Sequence, residues 1–333
     1  MTSRERVKRS LNYQNPDRCP LSMPDYPNDM CGAGITEDPD WKPYRTWEVE
    51  DGWQREDEWH NVWRCLSNTT RGEVIEGAIK DWSELRDYKM PRMDLPSRYE
   101  HARKVFADNP DLYHLGSLPG FPFAIMRYMR RVEEFLADVL LYPDEVNALQ
   151  RDVVDLLKRC LDQWATTGVD GVIFAEDWGT QERLLVSPKM WHDMFEWGFR
   201  EVVGHARSLG IDMWMHSCGY IRDIIPSLVD MGVKVLQLDQ PTLSDLDFLA
   251  KTCHGKTAIW SPVDIQRDLP TGNEPYIRER ARELIDKLGS NGGGFICGAY
   301  PDPKSLAVDP EWQGWASDEF AKYAQEKAMG GSR

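Results

Sequence analysis

The sequence predicts an α/β fold, a (β/α)8 TIM barrel that carries an N-terminal helical and hairpin extension. Short apolar runs alternate with helical patterns through the second half of the chain, and the runs start 22 to 40 residues apart. No G-x-G-x-x-G fingerprint follows a run. Parallel strands that alternate with helices are joined by right-handed crossovers. Six or more such strand-helix units without that fingerprint favour a closed barrel over an open doubly wound sheet.

Each predicted strand is a short apolar run bounded by turn residues. The strongest are GVIFAED (171–177), IDMWMHSC (211–218), VKVLQLD (233–239), KTAIWSP (256–262) and GGFICGA (293–299), and the weaker ones are LYHLGSLP (112–119) and DRCPLSM (17–23). Helical patterns lie between them. Residues 188–209 have apolar residues close to the 3.6 period after a Ser-Pro start, and 220–231 and 276–288 are also predicted helices.

We expect one domain over residues 1–333, with about 1–110 forming an extension that covers one end of the barrel. Residues 41–100 differ from the rest, because the stretch DWKPYRTWEVEDGWQREDEWHNVWRC holds five of the fourteen tryptophans among many acidic residues. This pattern indicates a hairpin-rich insertion. Its indoles either form a small core of their own or line a pocket for a flat organic substrate.

Composition narrows the class of protein. The formal net charge is −15 and no Lys/Arg-rich block occurs, which argues against nucleic-acid or anionic-membrane partners. The N-terminus is charged, with Thr2 as the cap of a predicted helix, and no apolar signal core or 18-residue apolar run is present, so we expect a cytoplasmic protein without a membrane span. Seven scattered cysteines argue against a disulfide framework. The NTT at 68–70 is interpreted as a chance glycosylation pattern, and the tail AMGGSR is expected to be disordered.

Polar residues follow the predicted strands at their carboxyl ends, where barrel enzymes place the active site. In MWMHSCGY, alternation puts Trp214, His216 and Cys218 on one face of a strand. A third thiol, Cys297, ends a later strand, and one imidazole with two thiolates suits zinc. The alternative is a buried histidine and cysteine that only pack. Cys253 and the histidine after it have a similar composition but precede their strand, which predicts the opposite barrel end.

Three segments carry a family resemblance. MHSCGYIRDIIPSLVDMGVKVLQLDQPT (215–242) and AEDWGTQERLLVSPKMWHDMF (175–195) resemble consecutive segments of the uroporphyrinogen decarboxylase superfamily, and TSRERVKRSLNYQNPDRCPL (2–21) is similar to the N-terminus of its methyltransferase branch. The arginine-rich RQAGRY-like motif of the true decarboxylases is missing, because PDYPNDMCGAG follows DRCPLSM.

The resemblance to the corrinoid-dependent branch implies a barrel with a catalytic zinc held by His216, Cys218 and Cys297. It also implies methyl transfer between a small methylated substrate, for example an aryl methyl ether that is O-demethylated, and the cobalt of a corrinoid (cobalamin). The chain has no D-x-H-x-x-G corrinoid-binding motif, so the corrinoid is expected on a separate partner protein. The alternatives are a decarboxylase-like enzyme and a non-catalytic corrinoid- or tetrapyrrole-binding protein.

The remaining candidates follow from position. Asp177 is the first choice, and Glu176 the second, for a carboxylate beside the zinc. Tyr300 is expected either to donate a proton or orient the substrate, or to be a rim residue without a role. The candidates for substrate contact or for support of His216 are Glu176, Trp178, Asp239, Gln240 and Asp264.

Overall fold

A computed structural model describes residues 1–66 and 72–330 of the chain. Eight parallel strands form one sheet that curls into a nearly closed barrel, which confirms the predicted fold class. A backbone hydrogen bond of 2.9 Å from Asp29 to Leu21 links the first and last strands of the sheet. In sheet order these strands are β1 (Leu21–Ser22), β11 (Phe295–Gly298), β10 (Ala258–Ser261), β9 (Val235–Gln237), β8 (Asp212–His216), β7 (Gly171–Ala175), β6 (Tyr113–Ser117) and β2 (Met30–Ala33).

Helices surround this sheet, as the alternation of patterns predicts. The connection from β1 to β2 is the exception, because no helix lies between these two short strands. In chain order the helices are α1 (Ser3–Leu11), α2 (Glu100–Asp108), α3 (Pro122–Arg130), α4 (Val132–Leu141), α5 (Pro143–Ala165), α6 (Pro188–Met194), α7 (Glu196–Ser208), α8 (Ile225–Met231), α9 (Leu246–Cys253), α10 (Glu274–Leu284) and α11 (Pro310–Gly330).

Helix α1 closes the amino end of the barrel. Thr2 caps it as predicted, its hydroxyl accepting from the Glu5 amide at 3.2 Å. Val7 and Leu11 pack into the barrel interior with apolar side chains of six strands, among them Trp214. Since the amino end is filled, the carboxyl ends of the strands are the end left for a site.

A second, antiparallel sheet lies beside the barrel. It consists of β3 (Trp53–Glu56), β4 (Val62–Cys65) and β5 (Glu73–Glu76), in that order. The segment after β5 is held against α3 by a 2.9 Å bond from the Ile79 amide to the Met129 carbonyl. Trp59 is buried in the main core and Val62 of β4 is also buried, so part of the insertion packs against the rest of the protein.

Residues 1–110 thus contribute a helix at the amino end, two barrel strands and this small sheet. The NTT motif lies outside the described residues. Helix α11 extends to Gly330, and residues 331–333 of the tail lie outside the described residues. No helix in the described part of the chain has both the length and the apolar character needed to cross a membrane.

Candidate metal centre

Strand β8 delivers the histidine and the cysteine to the carboxyl end of the barrel. Trp214 belongs to the barrel interior, whereas Met213 and Met215 pack in the layer between sheet and helices. The predicted alternation along this strand is therefore confirmed. His216 is the last residue of β8, and Cys218 follows after one residue.

The ligand atoms of Asp177, His216 and Cys218 lie within 4.8 Å of one another, and of the residues described no other set of three metal-binding side chains does. Nε2 of His216 is 3.4 Å from the Cys218 sulfur and 3.5 Å from Oδ1 of Asp177. The Cys218 amide also donates to Asp177 Oδ1 at 2.8 Å. The three side chains are partly exposed and line one face. A nitrogen, a sulfur and an oxygen donor in this proximity match the ligand types of zinc.

The imidazole of His216 is oriented by a chain of side-chain hydrogen bonds. Nε2 of Gln237 donates to Oδ1 of Asp239 at 2.8 Å, which leaves Oε1 of Gln237 as the partner of His216 Nδ1. Nδ1 therefore carries the proton, and Nε2 has its lone pair directed toward the other two donor atoms. Burial raises the pKa of Asp239, and the nearby His216 opposes that shift. Asp239 thus supports His216 through Gln237 and not by direct contact.

Arg127 from α3 borders the cluster on the other side. Its Nη2 is 3.9 Å from Asp177 Oδ2, and its Nη1 is 3.5 Å from the Asp177 carbonyl oxygen. The Arg127 side chain is 14% exposed and that of Asp177 is 38% exposed. Arg127 thus places a positive charge near the Asp177 carboxylate without binding it tightly.

Of the two consecutive carboxylates, only Asp177 reaches the cluster. Glu176 is fully buried and accepts hydrogen bonds from the amides of Phe123 at 2.9 Å and Ala124 at 2.8 Å, in the first turn of α3. Burial raises its pKa to about 8 against the effect of those two bonds. Glu176 therefore anchors the start of α3, the helix that carries Arg127.

The loops after β7 and β8 are packed backbone to backbone. A Cβ at Gly219, where φ is +74°, would lie 2.4 Å from the Gly179 carbonyl oxygen. The Tyr220 amide donates to the Thr180 carbonyl at 2.7 Å. This close contact holds the Asp177 loop against the Cys218 loop, and it explains the glycines of DWG and CGY.

The structure does not bring Cys297 to this cluster. Ile296 packs into the barrel interior, so alternation turns its neighbour Cys297 outward, where it joins the core between sheet and helices. Its thiol interacts with that of Cys19, and burial raises the pKa of Cys297 well above its ordinary value. In this conformation Asp177, not Cys297, stands beside His216 and Cys218.

The other predicted contact residues have partners of their own. Trp178 is fully buried, stacked on Phe123 with ring centroids 4.0 Å apart, in an aromatic core away from solvent. Gln240 exchanges two amide hydrogen bonds with Gln181. Asp264 is fully buried and accepts from the backbone amides of the two residues at 266 and 267, each at 2.9 Å.

Tyr300 is held by helix α11, and Cys253 lies at the opposite end of the barrel from the cluster. The backbone of Tyr300 is fixed to α11 by two hydrogen bonds with the Gln313 side chain, of 2.8 and 2.9 Å. Cys253 ends α9, and its carbonyl accepts from the Tyr13 hydroxyl at 3.1 Å. That contact, just after α1, confirms that Cys253 lies at the amino end of the barrel.

Sequence reasoning missed Gln237 and Arg127. Gln237 stands two residues after Val235, which faces the barrel interior, so a polar side chain on an inward position was the available signal. Arg127 lies among apolar residues of a helix that follows a strand end, which is an unusual place for a charged side chain.

The fold and this cluster define a barrel with a metal-type donor set at its carboxyl end. The family model described as uroporphyrinogen decarboxylase (URO-D) matches residues 68–299. The chain therefore belongs to the uroporphyrinogen decarboxylase family, as the resemblance predicted.

One solved structure supports the fold over nearly the whole chain. A methyltransferase from Methanosarcina mazei has a TM-score of 0.67 at 12% identity, covering 96% of this chain and 99% of that one. An L-ribulose 3-epimerase has a TM-score of 0.46 at 15% identity, over 70% of this chain and 81% of the other. No curated protein sequence matches significantly.

Proposed function

We propose that this protein is a zinc-dependent methyltransferase that moves a methyl group between a small methylated compound and the cobalt of a separate corrinoid protein. The observation that carries the proposal is the Asp177–His216–Cys218 cluster at the carboxyl end of a uroporphyrinogen decarboxylase family barrel. The fold similarity to a methyltransferase agrees with it.

His216, Cys218 and Asp177 would hold the metal. The Gln237 contact keeps the imidazole in the tautomer whose Nε2 can coordinate, and metal-bound histidines commonly have such a partner. Cys218 coordinates as its thiolate, and its loop is fixed by the backbone bond to Asp177. Three protein donors leave a position for substrate, which is the arrangement of catalytic zinc sites.

When bound, zinc supplies Lewis acidity that stabilises negative charge on the heteroatom that gives up or accepts the methyl group. The chain's own residues position the substrate and limit where it can enter. Arg127 attracts anionic groups to the rim beside Asp177. Because helix α1 fills the amino end of the barrel, substrate enters from the carboxyl end.

The barrel mouth offers a place for the corrinoid. Ala175, on β7 next to the cluster, is exposed, and Ile173 two residues below it is only partly buried. An open mouth fits a wide, flat cofactor delivered by a second protein. Because the chain has a net charge of −15, we expect association with an acidic partner to vary with ionic strength.

The test is spectroscopic. The zinc-loaded protein is mixed with a reduced corrinoid protein and candidate methyl ethers, and conversion of the cob(I) to the methyl-cob(III) spectrum is followed; a second assay starts from the methylated corrinoid with a thiol or folate acceptor. We expect activity in one direction, abolished by chelation and by His216→Ala. Absence of bound zinc together with consumption of porphyrinogen carboxylates would instead support the decarboxylase-like alternative, and neither activity would favour a binding protein.

A further inference from the structure

A groove of about 820 Å³ lies between the β3–β5 sheet and helix α3. Its lining combines three aromatic rings with three guanidinium groups: Trp53, Trp63, Tyr128, Arg55, Arg127 and Arg131. The volume falls within the usual range for pockets that enclose small organic ligands. Arg127 belongs both to this groove and to the border of the Asp177 cluster.

The rings form a fixed corner. Trp63 and Arg55 are directly paired across β3 and β4, so they share the sheet face that looks toward α3. The Trp63 indole is held by a 2.6 Å hydrogen bond to Asp57, and its centroid is 4.9 Å from that of Tyr128 at an angle of 58°. Two rings held at this angle offer an apolar surface to a third flat ring.

The guanidinium of Arg127 has unused binding capacity. Its polar contacts within the described residues are 3.4 Å to the Tyr128 hydroxyl, 3.5 Å to the Asp177 carbonyl and 3.9 Å to the Asp177 carboxylate. All are longer than the 2.7 to 2.9 Å of a strong guanidinium–carboxylate bond. Its Nε is buried without a partner. The guanidinium also lies over the rings of Tyr128 and Phe123, 5.2 and 5.4 Å from their centroids, which offsets part of the cost of burying the cation. A ligand anion at short distance would offset more of that cost than the long contact with Asp177 does.

Of the three arginines that line the groove, Arg127 is the best placed to bind an anion. Arg131 has two carboxylates beside it, Glu133 at 3.4 Å and Glu134 at 3.6 Å, whereas the ion pair of Arg127 with Asp177 is 3.9 Å long. Two carboxylates, Glu73 and Glu133, also line the groove. The Arg55 guanidinium lies over the Trp53 ring, 4.6 Å from its centroid, and adds positive charge on the exposed side of the groove.

We propose that the groove binds an aromatic carboxylate, with its ring against Trp63 and Tyr128 and its carboxylate paired with Arg127. The proposal rests on the proposed function only in that Arg127 also borders the Asp177 cluster, which would put the bound carboxylate at the edge of the metal site. A ligand carboxylate would replace the long Arg127–Asp177 contact, and Asp177 would then be available to the metal.

The test is calorimetric titration of the full-length protein, without metal or corrinoid protein, with 4-methoxybenzoate as the probe. The neutral comparator is 4-methoxybenzamide and the non-aromatic comparator is 4-methoxycyclohexanecarboxylate. We expect the benzoate to bind at least about tenfold more tightly than the benzamide, because a charge-assisted contact is worth that much. It should bind roughly two- to tenfold more tightly than the cyclohexane acid, which is the usual contribution of ring stacking.

Variants locate the site. Arg127→Gln should weaken benzoate binding to the level of the benzamide and leave benzamide binding unchanged, whereas Trp63→Leu should weaken both. Matched controls are Arg86→Gln and Trp47→Leu, two changes in the same region outside the groove lining. Where Arg127→Gln fails to fold by circular dichroism, Arg127→Lys should show an intermediate loss.

Equal affinity for benzoate and benzamide, an unaffected Arg127→Gln variant, or no binding of the benzoate at millimolar concentration would each overturn the groove proposal. These outcomes are separate from the proposed function. Benzoate binding without methyl transfer would reject the proposed methyltransferase function and support the groove proposal. Methyl transfer without benzoate binding would support the proposed function and reject the groove proposal.

Discussion

Oδ1 of Asp177 accepts the backbone amide of Cys218 at 2.8 Å and lies 3.5 Å from Nε2 of His216. One carboxylate oxygen therefore fixes the position of the cysteine and stands beside the imidazole. Because β7 and β8 are neighbours in the barrel, the residues after both strands meet at the same rim. This relationship makes Asp177 the third donor of the cluster.

The ligand set can be decided by comparing two variants. Asp177→Ala removes a donor within 4.8 Å of the others, so we expect the zinc affinity to fall at least about tenfold. Cys297→Ser changes a buried thiol on the outer face and should keep full zinc occupancy. Zinc per chain is measured by elemental analysis after dialysis against a weak chelator.

Two further variants serve as controls for the zinc measurement. Cys218→Ala should lose zinc, and Cys253→Ala at the amino end should lose none. Loss of zinc in Cys297→Ser with retention in Asp177→Ala would show that the loops rearrange on metal binding and restore the ligand set of the sequence-based prediction.

The partner of His216 can be tested in the same way. In Gln237→Leu, Nδ1 loses its acceptor and the imidazole is no longer held in one tautomer. We expect zinc affinity to fall about 10- to 100-fold, as for other residues that orient metal ligands. Competition with a chromogenic chelator measures it. Gln181→Ala disrupts only the neighbouring amide pair and serves as the control; an equal loss in both variants would contradict a specific role for Gln237.

The sequence predicted the barrel and the residues of the cluster, with Asp177 as the first choice for the carboxylate, because strand periodicity and the polar residues at strand ends are local features of the sequence. Alternation along β8 placed His216 and Cys218 correctly. The same alternation along β11 turns Cys297 outward from Ile296, so the structure does not bring this third predicted ligand to the cluster.

The remaining features depend on contacts between distant segments. Only the packing of Glu176 against the first turn of α3 separates it from Asp177, since the two are adjacent in sequence. The groove needs a sheet of residues 53–76 to lie against residues 127–133, and no local pattern contains that relationship. Two of the five tryptophans noted in the insertion, Trp53 and Trp63, line that groove.

The folding stability of the protein is expected to depend on pH through Glu176. Burial raises its pKa to about 8, so the folded protein retains a proton that the unfolded chain releases above its ordinary carboxyl pKa. The stabilising effect of Glu176 is therefore complete at acidic pH and is lost as the pH rises toward about 8. Melting temperatures of wild type and Glu176→Gln, measured from pH 5 to pH 9, should show wild type losing stability relative to the variant until about pH 8. A difference that stays constant over that range would mean that the Phe123 and Ala124 amides keep Glu176 ionised in the folded protein.

Gly219→Ala tests whether the glycine contact positions the cluster. Gly219 has φ +74°, and an added Cβ would lie 2.4 Å from the Gly179 carbonyl oxygen and 2.6 Å from that of Thr180. Neither backbone oxygen can move without displacing the loop that carries Asp177. We expect the free energy of unfolding to fall by at least about 1 kcal/mol and zinc affinity to fall although all three donors remain. The matched control is Gly210→Ala, where φ is +74° as well but nothing lies within 4 Å of the added Cβ. It should lose stability and keep zinc affinity. Urea unfolding and chelator competition measure the two effects, and equal zinc affinities in the two variants would show that the Gly179–Gly219 contact serves stability alone.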